Sequence, residues 1–174
     1  GKQYTYDHVY WGNNYSEKEV LKSIVDSNLT YNKIDNIEKE IARLLSKNKI
    51  VAIFNGAMEC GPRALGNRSI LYTPIDKSVN DWLNKQLKRS DFMPFAPVIL
   101  KEEVCRCFSD FKGAEHAAKF MTITFNCTEW MQKNCPAVVH VDNTARPQVI
   151  EESINPYYFK ILKEFKTLTG LPVL

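Results

Sequence analysis

At 174 residues, with 44% hydrophobic and 25% charged side chains, the chain has material for one ordinary core and little room for two domains. That composition excludes a disordered tail, and a formal net charge of +3 is too mild to make a duplex-binding surface by itself. A small anion needs only a local cluster of positive charge, so the overall balance leaves such a ligand open.

Ser16-Glu-Lys-Glu opens a helix with a capping box, Ser16 with Glu19, and Val20, Leu21, Ile24 and Val25 follow at helical spacing. Asp35 can cap a second helix, with Ile37, Ile41, Leu44 and Leu45 as its apolar stripe. Lys49-Ile-Val-Ala-Ile-Phe54 reads as a short buried strand. A glycine-rich loop runs from Asn55 to Asn67, and Ser69-Ile-Leu-Tyr-Thr73 resumes as a strand. Asp76 starts a helix carrying Val79, Trp82, Leu83 and Leu87. Phe95-Ala-Pro-Val-Ile-Leu100 reads as a strand, which Pro94 and Pro97 either place at a sheet edge or make irregular in its first part. Phe120-Met-Thr-Ile-Thr-Phe125 alternates as a half-buried strand does, and Ala137-Val-Val-His-Val141 is another short strand. Pro156 opens the last helix, with Phe159, Leu162, Phe165 and Leu168 on one face, and Gly170 ends it. Leu171-Pro-Val-Leu174 reads like the beginning of a strand. Strands and helices interleave without an internal linker, which predicts an α/β sheet fold.

Three segments carry chemistry. Gly56-Ala-Met-Glu-Cys-Gly-Pro-Arg-Ala-Leu-Gly-Asn-Arg-Ser-Ile-Leu71 follows a strand and holds three glycines and two arginines. Glycines let backbone N–H groups turn toward an anion, Arg63 and Arg68 offer planar forks for phosphate or carboxylate, and Ser69 can donate a hydroxyl. No Gly-Lys-Ser/Thr ends it, so it is not a Walker A loop. The plainer reading is a turn whose arginines pair with acids such as Glu59. The second segment, Asn84 to Pro97, sets Lys85, Lys88 and Arg89 at a helix end, where positive charge also complements the helix dipole. Lys88 or Arg89 can instead turn inward to a phosphate, and Phe92-Met-Pro-Phe-Ala-Pro97 makes a rigid wall. The third, His140-Val-Asp-Asn-Thr-Ala-Arg146, combines an acid/base candidate, an acceptor, a hydroxyl and a cation at a strand end; its plainer reading is a polar turn with an Asp142–Arg146 ion pair.

Together, Glu59-x-Gly-Pro-Arg-Ala-Leu-Gly-Asn-Arg-Ser-Ile-Leu71, Pro94-Phe-Ala-Pro97 and His140-Val-Asp-x-Thr-Ala-Arg146 resemble the C-terminal region of the nodulation/cephamycin/tobramycin-type O-carbamoyltransferases, as does Thr169-Gly-Leu-Pro-Val-Leu174. The resemblance runs from about Tyr10-Trp-Gly12 onward. It implies a YrdC-like fold, a twisted mixed β-sheet flanked by helices. It also implies binding of carbamoyl phosphate and ATP, with Mg²⁺ alongside, and formation of a carbamoyl-adenylate with release of pyrophosphate and phosphate. An N-terminal domain of the same polypeptide, with its own metal, then passes the carbamoyl group to an acceptor hydroxyl. That domain and the family's extreme C-terminal segment are not in this sequence, so residues 1–174 are expected to be one fragment domain, crippled alone for the first half-reaction and incapable of the second. By motif, Arg63, Lys88 and Arg146 contact the carbamoyl or nucleotide phosphates, Arg68, Ser69, Arg89 and Thr144 assist, and His140 and Asp142 orient ligands or brace the loop; no residue of this chain is assigned to a metal. The chain departs from the common pattern at Ala57, Cys60, Met93 and the contiguous Lys88-Arg89.

Two other readings stay open. YrdC-like domains also make threonylcarbamoyl-adenylate from threonine and bicarbonate. A binding module is the other: Lys85, Lys88, Arg89 and Arg106 could face RNA, with aromatic residues stacking on bases. Cys60, Cys105, Cys107, Cys127 and Cys135 show no zinc spacing and suit reduced thiols in the cytoplasm. No apolar run approaches the ~18 residues of a membrane span, and the first residues are polar, unlike a signal peptide.

Overall fold

The computed structural model describes residues 4–88 and 95–174. Helix α1, Glu17–Asp26, begins with the expected capping box: the Ser16 hydroxyl accepts from the Glu19 N–H at 3.3 Å while the Glu19 carboxylate accepts from the Ser16 N–H at 2.8 Å. Its apolar stripe meets no core, for α1 contributes no buried residue. Helix α2, Ile37–Ser46, is capped by Asn36 and not by Asp35; the Asn36 side chain accepts from the Lys39 N–H. Ile41, Ala42 and Leu45 face inward, where α2 packs on the long helix α6, Pro156–Thr169.

Strands β1, Val51–Phe54, and β2, Arg68–Leu71, form an antiparallel hairpin with Val51 opposite Leu71 and Phe54 opposite Arg68. Side chains alternate across a strand, so Ile53, Ser69 and Leu71 are buried on one face while Ala52, Phe54 and Ile70 are exposed on the other. Helix α3, Ser78–Gln86, follows a turn closed by Asp76, whose carboxylate accepts from the Ser78 N–H at 2.9 Å. Of its expected stripe only Leu83 is buried, and Trp82 and Leu87 are exposed.

Strand β3, Val98–Leu100, is no edge. It pairs in parallel with β6, Gln148–Ile150, and its other side exchanges N–H···O bonds of 2.9 and 3.1 Å between Val98 and Leu174. Val98, Ile99 and Leu100 are correspondingly 1%, 0% and 0% exposed. The alternative reading of the prolines fits: Phe95–Pro97 is irregular, and Pro97 precedes the ladder, where its missing N–H costs nothing. Pro94 lies outside the described residues.

Two expected strands are absent. Residues 117–120 form a 3₁₀ turn and Met121 takes φ +53°, which breaks the extended run, so only Phe125–Asn126, strand β4, pairs with β5, Thr144–Ala145. In the second, Pro136 sets the first φ of a 3₁₀ turn over Pro136–Val138, and Val141 is fully exposed. Short helices α4, Val104–Cys107, and α5, Glu129–Asn134, complete the chain. The architecture is mixed α/β with three two-stranded ladders among the described residues.

Helix α6 holds these pieces together. Asn155 caps it, Pro156 occupies its first turn, and Gly170 closes it at φ +76°. Tyr158, Ile161, Leu162 and Phe165 recur every three or four residues and are buried; full burial of each aliphatic or Phe side chain stabilises by roughly 1.5–3 kcal/mol. Leu168, assigned from the sequence to the same face, is 55% exposed. No described helix is long and apolar enough to cross a membrane.

Candidate functional site

The hairpin loop between β1 and β2 is held from behind by buried polar side chains. Glu59, 6% exposed, accepts on one carboxylate oxygen from the backbone N–H groups of Leu65 (2.7 Å), Asn67 (2.7 Å) and Arg68 (3.2 Å). The loop amides that the sequence aims at a ligand anion are thus turned on the protein's own anion. The Leu65 carbonyl accepts from the Tyr10 hydroxyl at 2.8 Å and the Gln148 amide at 2.9 Å. Asn155 donates to the Asn67 side-chain oxygen at 3.0 Å, tying the cap of α6 to the loop. Gly66, at φ +112°, lies flat against the Tyr158 ring; a Cβ there would sit 2.2 Å from a ring carbon, so no other residue fits unmoved.

With its back fastened, the loop presents Pro62, Arg63 and Ala64 to a cavity of about 580 Å³, which Ser69, α3, Phe95, Ala96, Val138, Arg146 and Tyr158 also line. The Ser69 hydroxyl accepts from the Gly66 N–H at 2.9 Å, which orients it and leaves its own proton to donate. Arg63 and Arg146 come from separate loops to this one space, and neither has a carboxylate partner among the described residues. The Arg146 Nε is buried with no acceptor among the described residues. Burial first, and the neighbouring Arg63 charge second, push the Arg146 guanidinium below its ordinary pKa. Two cations held together without a carboxylate partner among the described residues are set for an anion of more than one charge.

The remaining residues of the sequence motifs lie elsewhere. Arg68 stands next to Ser69, but the pleat sends it to the opposite face. Its guanidinium stacks 3.6 Å from the Phe54 ring centre and donates to the carbonyls of Asn55, Asn67, Gly56 and Asn13 at 2.8–3.3 Å. Lys88 is exposed beyond the end of α3, at φ +53°, and is not on the cavity wall. Arg89 and Met93 lie outside the described residues; of the proline-rich wall, Phe95 and Ala96 do line the cavity. The Asp142 carboxylate accepts from the Thr144 hydroxyl at 2.7 Å and N–H at 3.0 Å, which holds its pKa low, and His140 N–H donates to the Thr144 carbonyl. These three therefore brace the turn that delivers Arg146, and no Asp142–Arg146 ion pair forms. Arg106 stacks on Trp130 and pairs with Glu103. Tyr10, Gln148 and Asn155 carry no sequence signal for their part in the loop; Glu59 does, as an acid inside an arginine- and glycine-rich loop, but its partners are amides and not arginines.

Among the described residues no group of His, Cys, Asp or Glu is arranged to hold a metal ion, and the described cavity lining has no carboxylate. The described lining residues thus fit phosphate groups.

A model of the carbamoyltransferase C-terminus matches residues 42–174. An uncharacterised protein of Methanocaldococcus jannaschii is 44% identical over 167 residues, a stretch that takes in 92% of this chain and 27% of that protein. Nodulation protein NolO of Bradyrhizobium diazoefficiens is 32% identical over 170 residues, 95% of this chain and 31% of its own. Nodulation protein NolNO of Sinorhizobium fredii is 31% identical, over 95% of this chain and 25% of its own length. The chain therefore spans less than a third of these relatives.

Proposed function

The chain belongs to the carbamoyltransferase C-terminal family, and from that premise we propose that its cavity binds the phosphoryl groups of carbamoyl phosphate and ATP and forms a carbamoyl-adenylate. The observation that carries the reading is that Arg63 and Arg146, with no carboxylate partner among the described residues, line one nucleotide-sized space together with Ser69 of β2. For the atoms to balance, water converts carbamoyl phosphate to carbamate and phosphate. A carbamate oxygen then attacks the α-phosphorus of ATP, and the bond to the β-phosphate oxygen breaks to release pyrophosphate. Negative charge builds on phosphoryl oxygens at each step, and preorganised guanidinium groups stabilise it without a covalent enzyme intermediate. Magnesium bound with ATP would add charge neutralisation at the phosphates. The proposal extends to a YrdC-like fold and a cytoplasmic location, which ATP and free thiols suit.

Transfer to an acceptor hydroxyl belongs to a further domain of the same polypeptide. The relatives' greater length supports one, and so does the surface it would cover. Residues 4–36 expose Trp11, Tyr15, Val25 and Leu29, and the outer face of the hairpin exposes Phe54 and Ile70.

The test is pyrophosphate release by that longer polypeptide, with carbamoyl phosphate or with threonine plus bicarbonate. Arg63→Ala and Arg146→Ala should each lower carbamoyl-phosphate-dependent release by roughly 10²-fold or more, as loss of a charge-stabilising donor does. Release driven by threonine and bicarbonate alone, or near wild-type kinetics in both variants, would remove the reading.

A further inference from the structure

We infer that Glu59 is a positioning residue of the phosphate site: an internal anion that fills the backbone nest of the glycine-rich loop and so aims Arg63 and Ser69 into the cavity. The inference rests on the reading of Arg63–Arg146 as a phosphate site. A concavity of successive N–H groups is an anion site in its own right. Here a single Glu59 oxygen takes three of those N–H groups, two of them at 2.7 Å, the length of charge-assisted bonds. The amides come from Leu65, Asn67 and Arg68, so they flank Gly66 and lie between Arg63 and Ser69 in the chain. With Glu59 in place, Gly66 keeps its N–H for Ser69 Oγ at 2.9 Å and turns its bare Cα to Tyr158.

The consequence is a division of labour. The ligand's charge cannot enter the nest, because a carboxylate already holds it. It must meet the two guanidinium groups on the other side. The carbonyl side of the loop is fixed independently by Tyr10 and Gln148 at Leu65 and by Asn67 at Ala57. Those neutral bonds hold the loop's position, while the Glu59 charge sets its curvature. Removing that charge weakens the hold on three amides and lets the loop relax, so that Arg63 and Ser69 are no longer aimed into the cavity.

Isothermal titration of the 174-residue chain with inorganic phosphate, in wild type, Glu59→Gln, Glu59→Asp, Arg63→Ala and Glu59→Gln/Arg63→Ala, tests this. Glu59→Gln keeps the shape and an acceptor oxygen but loses the charge. Phosphate affinity is expected to fall about 10-fold or more, the worth of a charged hydrogen bond, while the thermal transition stays cooperative. Glu59→Asp, which keeps the charge at shorter reach, should recover part of it. In the Arg63→Ala background Glu59→Gln should cost clearly less, since the part of its effect that runs through Arg63 is already gone and only the Ser69 part remains. An unchanged affinity in Glu59→Gln, or an equal loss in both backgrounds, overturns the inference alone. If Arg63→Ala leaves phosphate binding intact, the site reading fails and the inference with it. Should Glu59→Gln not fold, Glu59→Asp and Glu59→Asp/Arg63→Ala take the places of the two glutamine variants and the same comparison decides.

Discussion

Arg146→Met should make the empty protein more stable and the liganded protein no more so. In the wild type the Arg146 Nε is a buried donor with no acceptor among the described residues, in a guanidinium that burial and Arg63 both disfavour. An unsatisfied buried polar group costs about 1–3 kcal/mol. Methionine keeps an unbranched apolar stem of similar length, so packing along it is retained. The net gain worked from these terms is about 1–2 kcal/mol, and for a domain of this size each kcal/mol moves Tm by roughly 2–4 °C. Binding runs the other way. A ligand at ten times its Kd stabilises the wild type by about 1.4 kcal/mol, and the variant should lose that increment. Differential scanning fluorimetry of both proteins with and without inorganic phosphate reads the two effects together. A variant that melts below the wild type and still gains stability from phosphate would refute the reasoning, because Arg146 would then be a paired structural residue.

Arg68→Ala should destabilise the fold by about 2 kcal/mol or more in urea unfolding, since it strips charged hydrogen bonds from four carbonyls and a stacked cation from Phe54; Arg68→Lys should restore under half of this, lacking the planar fork. Wild-type stability with lost phosphate affinity would return Arg68 to the ligand. Of the five thiols, Cys60 and Cys105 are exposed and should react with Ellman's reagent in the native state, the other three only on unfolding. Burial, the largest cause in each case, raises Cys107 and Cys135 to about 12 and Cys127 to about 11. The unfolded thiol ionises near 8.5, so in that window the unfolded chain releases protons that the native chain keeps. The stability tied to these groups is therefore whole below about pH 8.5 and drains as pH rises toward 11–12. Tm measured from pH 7 upward should fall in that interval, and a flat profile would contradict it.

Chain-local physics determined much by itself. A capping box at Ser16, a proline at the start of α6 and a glycine at its end need only neighbouring residues, and they stand where the sequence puts them. The apolar runs of β1 and β3 also form strands, although β1, expected to be buried, keeps only Ile53 inside. The tertiary structure decided what each run meets. The pleat of β2, read against its partner β1, separates Ser69 from Arg68 and sends one to the cavity and the other to Phe54. The central place of β3 depends on Leu174 closing its second side. A left-handed Met121 cancels an alternation that sequence alone reads as a strand. Above all, whether a loop's amides face a ligand or a carboxylate depends on what packs behind them, and Glu59, Tyr10, Gln148 and Asn155 reach that place from four parts of the chain. Local sequence fixes the conformational preference of a segment; the burial and charge of its long-range neighbours fix what the segment does.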